Sequence, residues 1–175
     1  AAPTDVDAND VLSATISGLP TNGAIHLANG AAVANGQVLT VSQLTGLTFT
    51  PTDVNSDTHS SFSYVVNDGH GGSDGATITI DTIDLTPYNA ANYPGMPNYR
   101  YARVAVTDSG VGMDEEMQRK VFEPFFTTKE SNKGTGLGLS IVYSIARESG
   151  GTVTVSSEPG KGTRFEVLIP LIPTL

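Results

Sequence analysis

The sequence has no cysteine and no tryptophan, and its first half has no positive charge. Without cysteine, neither disulfide bonds nor thiolate metal sites can form. No apolar run approaches 18 residues, so no transmembrane helix is predicted. Residues 1–85 contain nine aspartates but no lysine, arginine or glutamate, whereas residues 86–175 contain nine acidic and nine basic residues. Because the first half cannot neutralise phosphates, nucleic acid is excluded as its partner.

The first half is also rich in glycine, asparagine, threonine and serine, and it shows almost no helical periodicity. Short segments that alternate apolar and polar residues are separated by turn signals such as Asn29-Gly30 and Asn35-Gly36. This spacing is typical of an antiparallel β-sandwich. The predicted strands cover residues 11–17, 24–27, 47–50, 62–66 and 76–84.

Four segments of this half, DVDANDVL, ISGLPTNGAIHLANG, LTFTP and FSYVVNDGHGGSDGATITI, resemble the cadherin-like, immunoglobulin-type repeats of large bacterial adhesins. That family opens with one more strand, which this sequence does not show. The resemblance implies a secreted or cell-surface protein. Two interpretations of the acidic segment near the start stay open, since its side chains suit either calcium coordination or turns. The calcium ligands would be Asp5, Asp7 and Asp10.

A different signal occupies the second half, in the segment GTGLGLSIVYSIARESG at residues 134–150. Three alternating glycines allow a close backbone approach to an anion, and a helix with apolar residues at helical spacing follows at once. A glycine-rich loop at a helix N-terminus favours a phosphate group. The alternative is a flexible loop before an ordinary core helix.

Upstream of this loop lie DSGVG and FEPFF, and downstream lies GGTVTVSSEPGKGTRFEVLIP. Asp114 is predicted to cap a helix that follows DSGVG, and residues 87–97 contain too much proline, asparagine and glycine for a helix or a strand. In this order and spacing the motifs resemble the ATP-binding catalytic domain of sensor histidine kinases, which has the Bergerat ATPase fold. The resemblance covers residues 76–170 and implies a cytoplasmic enzyme that binds ATP or ADP. It therefore conflicts with the location implied by the first half, and localisation stays open.

The resemblance also implies roles for individual residues. Asp108 corresponds to the aspartate that accepts a hydrogen bond from the adenine amino group, and Thr163 to a threonine near the adenine. Lys129 flanks the lid, where the alternative is a solvated lysine, and Phe122, Phe125 and Phe126 resemble the residues that anchor it. The nucleotide-binding residues implied are Asp108, Gly110, Gly112, Lys129, Gly134, Thr135, Gly136, Leu137, Gly138 and Thr163.

Two features of that family are not found. Its N box is a helix whose asparagine holds Mg²⁺, but the glycines that follow Asn67 oppose a helix, so Asn67 is interpreted as a turn residue and magnesium is not expected. His26, His59 and His70 all lie in strand or turn segments, none on a dimerisation helix. A phosphoacceptor histidine would therefore have to come from another chain.

These patterns predict an α+β protein, with a cadherin-like sandwich at residues 1–84 joined to a truncated ATPase α/β sandwich at residues 76–175, so that strand 76–84 is shared. Three functions remain: a nucleotide-binding kinase fragment unable to autophosphorylate, a calcium-dependent adhesion or structural module, and an engineered or recombined chimera without evolved activity. Nucleotide is the expected ligand. The apolar surface that the N-box helix would otherwise protect is expected to be covered either by the N-terminal half folding back onto the ATPase sheet or by a second copy of the chain. Of the two, a homodimer is the favoured prediction.

Overall fold

The computed structural model describes residues 11–52, 59–68, 70, 73–128 and 135–171 of the chain. The strands are β1 Ser13–Gly18, β2 Gly23–His26, β3 Val38–Thr40, β4 Thr48–Pro51, β5 Ser60–Asn67, β6 Ser73–Asp84, β7 Arg100–Asp108, β8 Thr152–Glu158 and β9 Gly162–Pro170. The α-helices are α1 Val41–Thr45, α2 Glu115–Lys120 and α3 Gly138–Glu148. Within these ranges, no helix is both long and apolar enough to cross a membrane.

Seven strands form one antiparallel sheet in the order β3-β1-β5-β6-β7-β9-β8, and β2 pairs with β4 in a second sheet. The twelve-residue β6 is the central strand. On one edge it pairs with β5, where Phe62 lies opposite Ile78. On the other edge it pairs with β7, where Ala76 lies opposite Asp108. The sheet therefore runs without a break from the lysine-free half into the mixed-charge half.

The sandwich end of the sheet encloses an apolar core. Alternating residues of β1 and β5 point toward the β2–β4 sheet, as expected for strands with one buried face. Ile16 and Leu39 are completely buried, and the partly buried Tyr64 and Ile78 pack against the same cluster. The remaining buried members are Ile25, Val33 and Phe62.

We call this side of the large sheet the helix face, because α2 and α3 cover it at the opposite end. Phe122, just after α2, packs against Phe165 of β9 and Tyr143 of α3, at centroid distances of 6.2 and 5.4 Å. Helix α2 begins where the sequence predicts, since Asp114 Oδ1 accepts a hydrogen bond from Met117 N at 2.8 Å. Helix α3 buries Ser140 and Ala146.

The opposite, outer face is covered near β7 and β9 by residues 85–99. This segment is irregular as predicted, apart from one 3₁₀ turn at Ala90–Asn92. It nevertheless contributes Tyr93 and Met96 to a second core with Tyr101 and the fully buried Leu168. The sequence alone did not predict that a segment so rich in proline, asparagine and glycine would be part of a core.

Strand β6 also differs from its expected pattern. The sequence predicts that Ala76, Ile78 and Ile80 mark its buried face, yet Thr79 on the outer face is the only β6 residue classed as buried. The sandwich core and the helices cover opposite ends of the helix face, and the apolar side chains of β6 lie between them. These side chains are therefore only partly covered, and Val104 on the neighbouring strand is 37 % exposed.

Candidate nucleotide site

Asp108 ends β7 and is held by its neighbours through one carboxylate oxygen. Its Oδ1 accepts hydrogen bonds from Gly110 N at 2.9 Å and from Thr163 N at 3.2 Å. The other oxygen, Oδ2, has no hydrogen bond within the described part of the chain. A fixed carboxylate with one free oxygen can accept from an exocyclic amino group.

Two glycines allow the loop after Asp108 and the β8–β9 turn to pack closely against each other. Gly112 has φ 69° and Gly162 has φ 95°, values that favour glycine. A methyl group on Gly112 would overlap the carbonyl oxygen of Glu158, and one on Gly162 would overlap that of Asp108. The glycines of this motif therefore have a packing role, whether or not a ligand binds.

Ser157 connects these loops, although the sequence did not mark it. Its hydroxyl accepts from Met113 N at 2.7 Å, donates to Gly162 O at 2.8 Å and lies 3.0 Å from Thr163 Oγ1. One of these partners is 44 residues distant in the chain, so no local pattern could have identified the contact.

The second glycine motif packs against the phenylalanine motif. Gly136 has φ 64°, and Phe125 N donates to Gly136 O at 2.9 Å. Phe125 is 73 % exposed and has φ 68°, which is unusual for a residue with a side chain of this size. Thr135 is exposed, Leu137 immediately precedes α3, and Gly138 is the first helical residue. Lys129 and Gly134 lie outside the described residues.

The predicted nucleotide-binding residues that the structure describes thus fall into two groups. Hydrogen bonds join Asp108, Gly110 and Thr163, with Gly112 packed beside them. Thr135, Gly136, Leu137 and Gly138 form the entrance to α3, which contacts β8 and β9 on the helix face.

Asn67, which the sequence indicated to be a turn residue rather than an N-box asparagine, lies in a strand and in neither a helix nor a turn. It is the last residue of strand β5, and its Nδ2 donates weakly to Val65 O at 3.4 Å. Tyr64, three residues earlier, points to the helix face, so the alternation of side chains puts Asn67 on the outer face. A ligand beside Asp108 on the helix face is therefore separated from Asn67 by the sheet.

The outer face carries a network of charged residues from β6, β7 and β9. Arg103 donates to Asp81 through Nε at 2.8 Å and Nη2 at 2.6 Å, and its Nη1 lies 3.5 Å from Glu166. Tyr93 donates to Glu166 Oε2 at 2.8 Å. Burial alone would raise the pKa of Asp81, but hydrogen bonds from Arg103 and His59 lower that pKa overall. Hydrogen bonding to Asp81 raises the pKa of Arg103.

No group of three or more potential metal-ligating side chains occurs among the described residues. The predicted calcium ligands Asp5, Asp7 and Asp10 lie outside them.

Comparison with known families agrees with both resemblances. The family described as histidine kinase-, DNA gyrase B- and HSP90-like ATPase matches residues 54–173, well over half of the chain. The chain therefore belongs to this ATPase family. The bacterial Ig domain family matches residues 1–81, so residues 54–81 are matched by both.

Individual relatives are sensor kinases. Sensor kinase CckA of Brucella abortus (strain 2308) is 44 % identical over 99 residues, which is 55 % of this chain but 10 % of the relative. Sensor histidine kinase ZraS of Escherichia coli O157:H7 is 45 % identical over 69 residues, covering 39 % of this chain and 15 % of the relative. Sporulation kinase E of Bacillus subtilis (strain 168) is 46 % identical over 68 residues, covering 39 % and 9 %. The matched region is thus a small part of each of these kinases.

Among solved structures, the mycobacterial sensor histidine kinase MprB aligns with a TM-score of 0.39 at 26 % identity, over 54 % of this chain and 59 % of that one.

Proposed function

We propose that this chain binds adenine nucleotides, ATP or ADP, through the helix-face side of Asp108. The observation that carries the proposal is the carboxylate itself, fixed through Oδ1 by Gly110 N and Thr163 N with Oδ2 left as an acceptor. An adenine amino group is a suitable donor for that oxygen. The entrance to α3 supplies backbone N–H groups and a positive dipole end suited to phosphates.

We expect the affinity to be low and independent of magnesium. Asn67 lies on the other face of the sheet, so it cannot hold a metal ion on the phosphates. Contacts to the adenine then contribute more to the binding free energy than contacts to the triphosphate. A Kd of roughly 0.1 mM, about −5.5 kcal/mol, is the expected range.

Isothermal titration calorimetry with ADP and ATP, with and without Mg²⁺, tests this proposal. Asp108→Ala should abolish measurable binding, whereas Asp84→Ala, an exposed aspartate of the neighbouring strand, should leave it unchanged. Tight, magnesium-dependent binding would contradict the proposal that Asn67 and magnesium take no part, and binding by Asp108→Ala would contradict the site.

We further propose that the chain does not phosphorylate itself. His26 lies in β2, His59 hydrogen-bonds Asp81 at 3.2 Å beside the sheet, and His70 lies in the β5–β6 connection. Incubation with radiolabelled ATP should leave the chain unlabelled. A phosphohistidine on any of the three would contradict this, and a partner's histidine is the remaining acceptor.

The domain arrangement we propose is a recombined chimera, with a sandwich at residues 1–84 and an ATPase region at 76–175 that share β6. The overlap of the two family matches and the pairing of β6 with both β5 and β7 support it. Limited proteolysis should yield no stable fragment that ends within β6. A stable, folded 1–84 fragment would contradict the sharing.

A homodimer through α3 is proposed as the state in solution. Ile141, Val142 and Ile145 form an apolar stripe and are 53 %, 38 % and 57 % exposed. An exposed stripe of this kind marks an interaction surface. Light scattering should give twice the chain mass, and Ile145→Asp should give the monomer. A monomeric wild type would refute the dimer without affecting nucleotide binding.

A further inference from the structure

Three residues form a row across the centre of the sheet. Tyr64 of β5 lies opposite Ala76 of β6, and Ala76 lies opposite Asp108 of β7. Directly paired residues of antiparallel strands point to the same face, and neighbouring strands are about 4.8 Å apart. Tyr64 and Asp108 are therefore separated by about 10 Å at their Cα atoms. The small side chain of Ala76 leaves a space between the phenol ring and the carboxylate.

This row lies on the helix face. Val106, two residues before Asp108, is paired with Phe165, whose ring packs against Phe122 beside α2 and α3. Tyr64 packs against the sandwich core on the same side. The space over Ala76 is thus bounded by the sandwich on one side and by the Asp108 loop on the other.

The ring of Tyr64 can contact a flat, uncharged ligand such as an aromatic base. Its ring is only partly buried, and it lies at 6.3 Å from Phe62, which supports it from the sandwich side. Burial, then the negative charges of Asp108 and Asp74, raise the pKa of Tyr64, so the phenol stays protonated at neutral pH. Its hydroxyl makes no hydrogen bond within the described part of the chain, so the ring, and not the hydroxyl, is the part of this side chain that the inference uses.

We propose that Tyr64 is the aromatic wall of the nucleotide site and that the adenine base lies over Ala76 between this ring and Asp108. The sandwich half would then supply a base-recognition residue to the ATPase half. This inference rests on the proposed nucleotide binding. Contact between a base and an aromatic side chain typically changes affinity about tenfold or more.

Three substitutions test the row, with ADP as the ligand. Tyr64→Phe keeps the ring and should bind within twofold of wild type, while Tyr64→Ala should bind about tenfold more weakly. Because Tyr64→Ala also removes packing from the sandwich core, Ala76→Leu provides an independent test. It fills the space while leaving Tyr64 and Asp108 themselves unchanged, and it should weaken ADP binding at least tenfold. Tyr88→Ala, a control at a fully solvated tyrosine, should bind as wild type does.

Tyrosine fluorescence gives a second readout, since the chain has six tyrosines and no tryptophan. ADP should quench the wild-type emission, and the quenching should decrease in Tyr64→Phe although its affinity is retained. If Asp108→Ala loses ADP while Tyr64→Ala and Ala76→Leu bind normally, the inference is wrong and nucleotide binding stands. If wild type does not bind ADP, or Asp108→Ala binds it equally well, both are wrong.

Discussion

The two ends of the seven-stranded sheet are stabilised in different ways. At the sandwich end, Ile16 and Leu39 are fully buried in a core made almost entirely of aliphatic and aromatic side chains. At the ATPase end, the core around Tyr101 and Leu168 is flanked by the Asp81–Arg103–Glu166 network. Residues 1–85 contain no lysine or arginine, and in the part of the chain that the structure describes Asp81 and Asp84 of β6 pair with arginines of β7. The two carboxylates of β6, a strand of the first half, are therefore paired with positive charges of the second half.

The largest effect is expected from truncating each core in turn. Leu39→Ala and Leu168→Ala should each lower the free energy of unfolding by about 2–5 kcal/mol, because both side chains are fully buried. If β6 couples the two ends, each variant should shift one common transition in urea. Val38→Ala, at a 62 % exposed neighbour, is the control and should change little. Two separate transitions, each sensitive to one substitution, would show that the ends unfold independently.

A second comparison is confined to the β8–β9 turn of the ATPase end. Gly162→Ala should cost about 3 kcal/mol, since its φ is 95° and the new methyl group would overlap the Asp108 carbonyl. Gly160→Ala should cost only about 1 kcal/mol, because its φ of 77° is also left-handed but nothing lies within 4 Å. Thermal unfolding measures both. Equal costs would mean that the turn relaxes without disturbing Asp108.

Local signals in the sequence predicted much of the fold. The alternating segments and turn dipeptides placed most strands, and Asp114 was correctly predicted to cap α2. Helix α1 was missed because it is only five residues long, although Thr40 and Gln43 form a capping box that could have indicated it. The core contributed by residues 85–99 could not be predicted, since Tyr93 bonds Glu166 across 73 residues and depends on strand register.

The ion-pair network gives a prediction with a defined pH dependence. The folded state lowers the pKa of Asp81, so its stabilising contribution is complete above about pH 4 and is lost as pH falls through the lowered value. Asp81→Asn should cost about 1–2 kcal/mol at pH 7 and should reduce the further loss of stability on acidification. Urea unfolding at pH 7 and pH 3 measures this.

The matched control is Glu116→Gln, which removes the exposed pair with Lys120 on α2. Solvent screens that pair, so we expect no measurable change in unfolding at either pH. An equal effect of the two substitutions would mean that burial between the strands does not strengthen the Asp81–Arg103 pair.

The smallest effect is expected from calcium at the sandwich end. If Asp5, Asp7 and Asp10 bind calcium, millimolar Ca²⁺ raises the melting temperature, because a ligand that binds only the folded state stabilises it. We expect a small shift or none, measured with and without chelator. A large shift that is lost in the triple asparagine variant would favour the adhesion-module interpretation.

The candidate site was only partly predictable. The sequence identified Asp108, Gly112 and Thr163 by resemblance, and the structure joins Asp108 to Thr163 by a hydrogen bond. It did not identify Ser157 or Tyr64, whose positions depend on how distant strands align. A one-residue shift in register would turn Tyr64 away from Asp108, and which residues of β5, β6 and β7 lie side by side depends on the pairing of all three strands.

The central position of β6 also has consequences during synthesis on the ribosome. Residues 1–84 emerge first and can pair β1, β5 and β6, but the other edge of β6 has no partner until residues 100–108 follow. For that interval a twelve-residue strand edge is open to pairing with other nascent chains. Chains that terminate early, between residues 84 and 100, should therefore be the aggregating species. Rapid translation of residues 85–99 would shorten the time for which this edge is exposed and so reduce aggregation.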